Sequence, residues 1–142
     1  LKNFKNYIGC SLFKPNFKEL KEGMKVEFSA DNTTAIEQSL LNLRNELKAE
    51  GVIVTRSEHG VTSFDGETFS THSAHKREIV DVSGAGDTVI AVATLALASN
   101  WNLSDIAEIA NLAGGLVCEK VGVVPIDKEL LKLEAERIAV SI

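Results

Sequence analysis

Eight consecutive residues, Asp81-Val82-Ser83-Gly84-Ala85-Gly86-Asp87-Thr88, carry the clearest chemistry in this chain. They run directly into Val89-Ile90-Ala91-Val92-Ala93-Thr94-Leu95-Ala96-Leu97-Ala98, a stretch with no charge and no helix breaker. A small-residue turn opening an apolar helix leaves backbone N–H groups without acceptors, where the helix dipole contributes roughly +0.5 of an elementary charge. Gly84 and Gly86 let a bulky anion approach that backbone without meeting a Cβ. Asp87 would repel a phosphate, so it is not a phosphate ligand. Beside a bound phosphate it is a base, able to take a proton from a hydroxyl that attacks phosphorus. Together these residues read as phosphoryl transfer to an alcohol. A plainer account makes Asp87 a first-turn acid that complements the dipole and the glycines ordinary turn residues. Two rival phosphate loops fail on their own terms. No lysine follows Gly86 as a Walker loop requires, and Val89 stands where a dinucleotide fingerprint needs a third Gly or Ala.

The stretch closely resembles the second sequence motif of the ribokinase-like (PfkB) carbohydrate kinases. The similarity extends to Val54-Thr55-Arg56-Ser57-Glu58-His59-Gly60, to Ile79 through Ile90, and to Ala110-Asn111-Leu112-Ala113-Gly114-Gly115 with Lys120-Val121-Gly122. In that wording the chain is similar to the heptose 7-phosphate kinase part of bacterial ADP-heptose synthesis enzymes. Ribokinase- or fructokinase-like sugar kinases, and a non-catalytic nucleotide-binding module, stay open as alternatives. The resemblance covers about Cys10 to Leu131 and implies an α/β fold, with a mostly parallel sheet flanked by helices. The family is usually about twice this size, so residues 1–142 are expected to be its C-terminal, nucleotide-binding half. That half would be catalytically silent without the N-terminal half that supplies most of the sugar site. The resemblance further implies ATP and Mg2+, a sugar or sugar-phosphate acceptor, and a homodimer when full length.

Residue by residue, the resemblance makes Asp87 the general base. Gly84, Ala85 and Gly86 become N–H donors to the transferring phosphoryl oxygens, in a reaction that positioning and electrostatics dominate. Asn16 and Glu19 form N-x-x-E. From the residues alone this is a capping box; in the family it lies near the phosphates and helps hold magnesium through water. Thr55, Ser57 and Gly60 lie just past a strand, where nucleotide loops sit in open parallel sheets. The family uses them against phosphates and ribose, although many relatives have Gly where this chain has Ser57. Asn111 matches a position near adenine and ribose; an amide satisfied between helices would explain it equally well. Asp81, the Ser83 carbonyl and carbonyls near Val117, Lys120 and Gly122 match a monovalent-cation (K+) site. That set also needs a side-chain oxygen where this chain has Ile126, which argues against a potassium requirement, and Asp81 is also explained as a cap on the turn.

The elements that must position these residues follow from pattern. Gly9 to Phe13 reads as a short strand stopped by Pro15. Asn16 caps a short helix over 18–23, and Thr34 with Glu37 repeats that spacing before a helix from Ala35 to about Glu50 ended by Gly51. Ile36, Leu40, Leu43 and Leu47 form its apolar stripe. Gly51 to Thr55 is a continuous apolar run, suiting a parallel strand covered on both faces. Val61–Phe64 and Thr68–Ser73 read as a hairpin across Asp65-Gly66. After the Asp81 turn come a buried helix to about Ser99, a helix from a Ser104 cap to about Lys120, and an amphipathic helix opened by Asp127. Strands and helices in this order indicate α/β architecture with a largely parallel sheet and an antiparallel addition.

Composition sets the outer limits. The chain has 142 residues, 44% hydrophobic and 25% charged, with a net charge of −5. That suits one globular domain and, with no basic patch, argues against nucleic-acid and anionic-membrane surfaces. Cys10 and Cys118 stand far apart with no C-x-x-C, which favours a reduced cytoplasmic setting. No signal-peptide pattern is present, and the longest apolar run is too short to span a bilayer. His72 and His75, three apart in an extended segment, point to opposite faces and make a poor metal pair. Tyr7 and Trp101 read as packing residues.

Overall fold

Side chains at Ile36, Leu40, Leu43 and Leu47 are all at most 1% exposed, so the three-and-four spacing read from sequence is the core face of a helix. In the computed structural model, which describes residues 3–74 and 79–140, the chain divides into two units, before and after Ser73.

The first unit contains strands β1 (Leu12–Phe13), β2 (Gly51–Thr55), β3 (Val61–Phe64) and β4 (Phe69–His72), with helices α1 (Phe17–Met24) and α2 (Thr33–Leu47). The strands lie in that order in one sheet. β1 runs parallel to β2, with Phe13 opposite Val52, because the long crossover through α1 and α2 returns the chain in the same direction. β2–β3 and β3–β4 are antiparallel. The described sheet is therefore mixed: the α/β class holds, while the antiparallel share exceeds what a mostly parallel sheet would have. The reason is connection length, since the short links after Thr55 and Phe64 only allow the chain to double back. Asp65 builds the second link, its Oδ1 accepting from the N–H groups of Glu67 and Thr68, both at 2.8 Å.

Val52, Val54 and Phe64 pack with Leu20, Leu40, Leu43 and Leu47 in one core. Each such leucine contributes roughly 1.5–3 kcal/mol by burial. Ile53, pointing the other way, is also fully buried, as the unbroken apolar run of β2 required. Phe4 closes the core edge-to-face on Phe13, with ring centroids 4.9 Å apart.

Two boundaries differ from the sequence reading. α2 is capped by Asn32, whose side chain accepts from the Ala35 N–H, rather than by Thr34. It stops at Leu47 because Lys48 turns left-handed (φ 50°) and donates to the Arg44 carbonyl, before Gly51 is reached. An asparagine amide caps as well as threonine, and a single left-handed residue is enough to end a helix.

The second unit holds α3 (Ala85–Ala98), α4 (Leu103–Cys118) and α5 (Lys128–Val140). α4 is capped by Asn102, accepting from Asp105 N–H at 2.9 Å, instead of Ser104. α5 is capped by Asp127 as expected. α3 corrects the sequence reading: it is not buried all round. Val89, Ala93 and Ala96 are buried, whereas Ile90 is 37% and Leu95 71% exposed, because α4 covers one face only. Trp101 and Tyr7 are likewise half-exposed, at 47% and 42%, although the Tyr7 ring does pack on Phe13. The opposite-face reading of His72 and His75 falls partly outside the described residues, since His75 is not among them.

The α3–α4 contact depends on Gly114, where an added Cβ would lie 2.7 Å from Val89 Cγ2. Gly114→Ala should destabilise the intact protein by about 1–3 kcal/mol through overpacking, seen as a lower denaturant midpoint. Val89→Ala in the same chain should recover part of that loss, so the two changes should be clearly non-additive in a double-mutant cycle.

Candidate active site

In the first unit the candidate residues gather at the end of β2. Thr55 N–H donates to the Pro15 carbonyl at 3.2 Å, and Asn16 pairs with Thr55 in a single parallel bridge. The start of α1 is thereby fixed beside the loop that leaves β2. At that start Asn16 Oδ1 accepts from Glu19 N–H at 2.8 Å and Glu19 Oε2 accepts from Asn16 N–H at 2.9 Å. This is a complete capping box. It leaves Glu19 Oε1 outside the box, an oxygen donor of the kind magnesium takes. Asn16 Oδ1 has one lone pair on the Glu19 N–H and a second beside it, whereas the NH2 can only donate. The pair therefore fits magnesium through the carboxylate and through water, and capping does not compete with that role.

The loop after Thr55 closes on itself. Arg56 N–H donates to the Gly60 carbonyl at 2.8 Å, His59 N–H to Arg56 at 2.9 Å, and Gly60 N–H to Ser57 at 3.1 Å. Ser57 sits at φ 49° and Gly60 at φ 81°. Ser57 is thus left-handed, and serine rather than glycine bears the strain. Arg56, which sequence reasoning passed over, is 7% exposed and turned inward. Its signal was available: Val52, Val54 and Arg56 are spaced by two, the core-facing register of the strand.

In the second unit Gly84 is the N-cap of α3, left-handed at φ 74°. An added Cβ there would press on Val123 Cγ1 at 3.0 Å, whereas one on Gly86 would meet nothing within 4 Å. No side chain caps this helix. The space in front of Gly86 and the uncapped first turn fit an anion such as a phosphate. Asp87 stands exposed in that same turn.

Asp81 holds the turn from behind. Its Oδ1 accepts from the Ser83 N–H (2.9 Å) and hydroxyl (2.6 Å), and its Oδ2 accepts from Gly122 N–H at 2.8 Å. These bonds, the Ser83 hydroxyl first, hold its carboxyl below the usual carboxylate range. Val80 and Asp81 also donate to the Cys118 carbonyl, at 2.9 and 3.1 Å. Asp81, Ser83 and Gly122 are thus brought together, but through the N–H and hydroxyl of Ser83 and the N–H of Gly122 rather than through carbonyls. The Cys118 thiol is pushed up, by burial and then by the charge of Asp81, and both cysteines are free. Asn111 lies half-buried on α4 between Ala110 and Leu112, away from the turn in sequence. Among the described residues no cluster of three or more His, Cys, Asp or Glu is arranged to hold a metal. No described helix is long and apolar enough to cross a membrane.

An α/β chain with an uncapped glycine-rich helix start and a carboxylate in its first turn has the features of a phosphate-handling protein. The pfkB family carbohydrate kinase model matches residues 1–129, and the chain belongs to that family. It is 39% identical to the bifunctional protein HldE of Methylobacillus flagellatus over 95% of this chain and 27% of that protein. The HldE of a Nitratiruptor species is 40% identical over 84% of this chain. The chain thus spans about a quarter of the length of these relatives. In fold it is similar to Escherichia coli phosphofructokinase-2 in complex with potassium, with a TM-score of 0.86 at 21% identity over 95% of this chain and 43% of that one. Ribokinase from Thermotoga maritima gives 0.74 at 20% identity, over 89% and 42%. The ribokinase-like fold expected from the motifs is therefore present.

The strain at Ser57 is open to direct measurement. A left-handed non-glycine residue costs roughly 1–2 kcal/mol, and glycine gives back about 0.5–1 in chain entropy. Ser57→Gly should therefore be neutral or slightly stabilising in thermal unfolding, and the β-branched Ser57→Val clearly destabilising.

Proposed function

We propose that the protein containing this chain transfers the γ-phosphoryl group of ATP to a sugar hydroxyl. The acceptor we assign is D-glycero-D-manno-heptose 7-phosphate, giving the 1,7-bisphosphate for ADP-heptose synthesis in the cytoplasm. The carrying observation is the start of α3: no side-chain cap, open space over Gly86, and Asp87 exposed in the first turn. Asp87 takes the proton of the acceptor hydroxyl as its oxygen attacks the γ-phosphorus and the bond to the ADP oxygen breaks. The N–H groups of Gly84 and Gly86 stabilise the negative charge that gathers on the transferring oxygens, while that of Ala85 already donates to the Val82 carbonyl at 3.2 Å. Asp81 keeps those donors aimed by holding Ser83 and Gly122.

Thr55, Ser57, Gly60 and Asn111 are assigned to the nucleotide. Magnesium, held with the help of Glu19 and the Asn16 backbone turn, would neutralise phosphate charge during transfer. The three internal hydrogen bonds of Asp81, together with Ile126, argue against a potassium requirement. The heptose acceptor rests on the wording of the Thr55–Gly60 and Asp81–Ile90 motifs. Most acceptor-binding residues belong, on this reading, to the N-terminal half of the kinase domain, and the full-length protein is a homodimer. That assignment accords with a chain a quarter the length of its relatives. Residues 1–142 alone would then be silent, because the hydroxyl must be held within reach of the base.

In the full-length kinase, Asp87→Asn should cut turnover by ~10²–10⁴ while leaving Mg-ATP affinity largely intact. Turnover close to wild type would remove Asp87 from the mechanism. A panel of sugars and sugar phosphates tests the acceptor. Heptose 7-phosphate should give the highest kcat/KM, and a strong preference for unphosphorylated ribose or fructose would move the protein to another branch of the family.

A further inference from the structure

Arg56 is a charged side chain in a place that packing alone would give to an apolar one. It follows the buried run of β2, is 7% exposed, and burial acts against its charged form. Among the described residues no carboxylate pairs with it. Asp31, close by in the chain beyond Ala30, has its carboxylate on the Ser29 hydroxyl. The guanidinium donates from Nη1 to the Ala30 carbonyl at 2.8 Å, across 26 positions in sequence. Its Nε, fully buried, has no partner.

Burying a guanidinium with one carbonyl for company is unfavourable, and an apolar side chain of similar length would fill the space without the desolvation cost. Stability therefore does not call for arginine here. What arginine adds is direction. The Arg56 backbone already closes the loop at both its N–H and its carbonyl, through Gly60 and His59. Its side chain then ties that closed loop to Ala30, in the connection between α1 and α2. α1 carries Asn16 and Glu19, and its start is bridged to Thr55. Thr55, Ser57 and Gly60 thus lie on or beside the loop that Arg56 holds, and the bridge from Thr55 to Asn16 links that loop to the start of α1.

We infer that Arg56 is a positioning residue for Mg-ATP, fixing the Thr55–Gly60 loop against the α1–α2 connection without itself touching the nucleotide. The inference rests on the kinase reading, and the test separates the two. Mg-ATP binding by calorimetry, the thermal midpoint and steady-state kinetics would be measured on the full-length kinase and on its Arg56→Met and Arg56→Lys variants. Arg56→Met should keep or raise the midpoint, because a buried charge is gone. It should lose roughly tenfold in Mg-ATP affinity, the scale of one charge-assisted hydrogen bond. The KM for the sugar should stay within about twofold and kcat at saturating ATP within about threefold. Arg56→Lys, which keeps the charge but not the planar fork, should fall between wild type and Arg56→Met.

If wild type binds Mg-ATP and Arg56→Met binds it equally well, the positioning role is overturned and the kinase reading stands. If wild type itself fails to bind Mg-ATP, both fall. A lower midpoint with parallel losses for ATP and sugar, or failure of both variants to fold, makes Arg56 a core residue and also overturns the inference.

Discussion

The first turn of an α-helix carries backbone N–H groups with no acceptor inside the helix, and the structure depends on how each helix deals with them. Asn16, Asn32, Asn102 and Asp127 close the starts of α1, α2, α4 and α5 with their own side-chain oxygens. α3 has no such residue; its N-cap is Gly84, which has no side chain to offer. The same physical need is met by a side chain at four helices, whereas at the fifth the Ala85 N–H turns back to the Val82 carbonyl at 3.2 Å. A carboxylate three residues on would be a mild stabiliser of any helix start. Next to an anion held by that start, it is a base.

Keeping such a turn in shape without a local cap requires support from elsewhere in its unit. Asp81 provides it with three hydrogen bonds, one of them reaching Gly122, and Val123 closes against Gly84. Those bonds favour the charged carboxylate and hold its pKa below the usual range. In the first unit β2 plays the corresponding part. Its buried flanks fix the level at which Thr55 emerges, and its bridge to Asn16 aligns α1 with the loop that follows. Both units therefore present a glycine-containing loop held by a side chain, Arg56 in the first and Asp81 in the second, although Ile79, Val80 and Val82, which lead into the second turn, are exposed.

Much of this was legible in the residues. The Asp81–Thr88 turn, the Asn16–Glu19 capping box, the Ile36-to-Leu47 stripe, the Asp65-Gly66 hairpin and the Asp127 cap each depend on neighbours within a few positions. Local physics of that kind is written in sequence spacing. Errors arose where two local solutions were nearly equal. Asn32 competed with Thr34 and Asn102 with Ser104 for the same orphan amides, and Lys48 went left-handed before the glycine expected to do so.

Sequence alone determined which residues could do chemistry, the α/β class and the helix-start character of the glycine turn, because type and short-range spacing suffice for these. Tertiary structure decided that β1 pairs with β2, which face of α3 is covered, that Asp81 reaches Gly122, that Asn16 lies beside Thr55 and that Arg56 points to Ala30. Each of those depends on a contact between segments tens of residues apart. No local pattern encodes such a contact; it exists only once burial of the core has brought the two segments together.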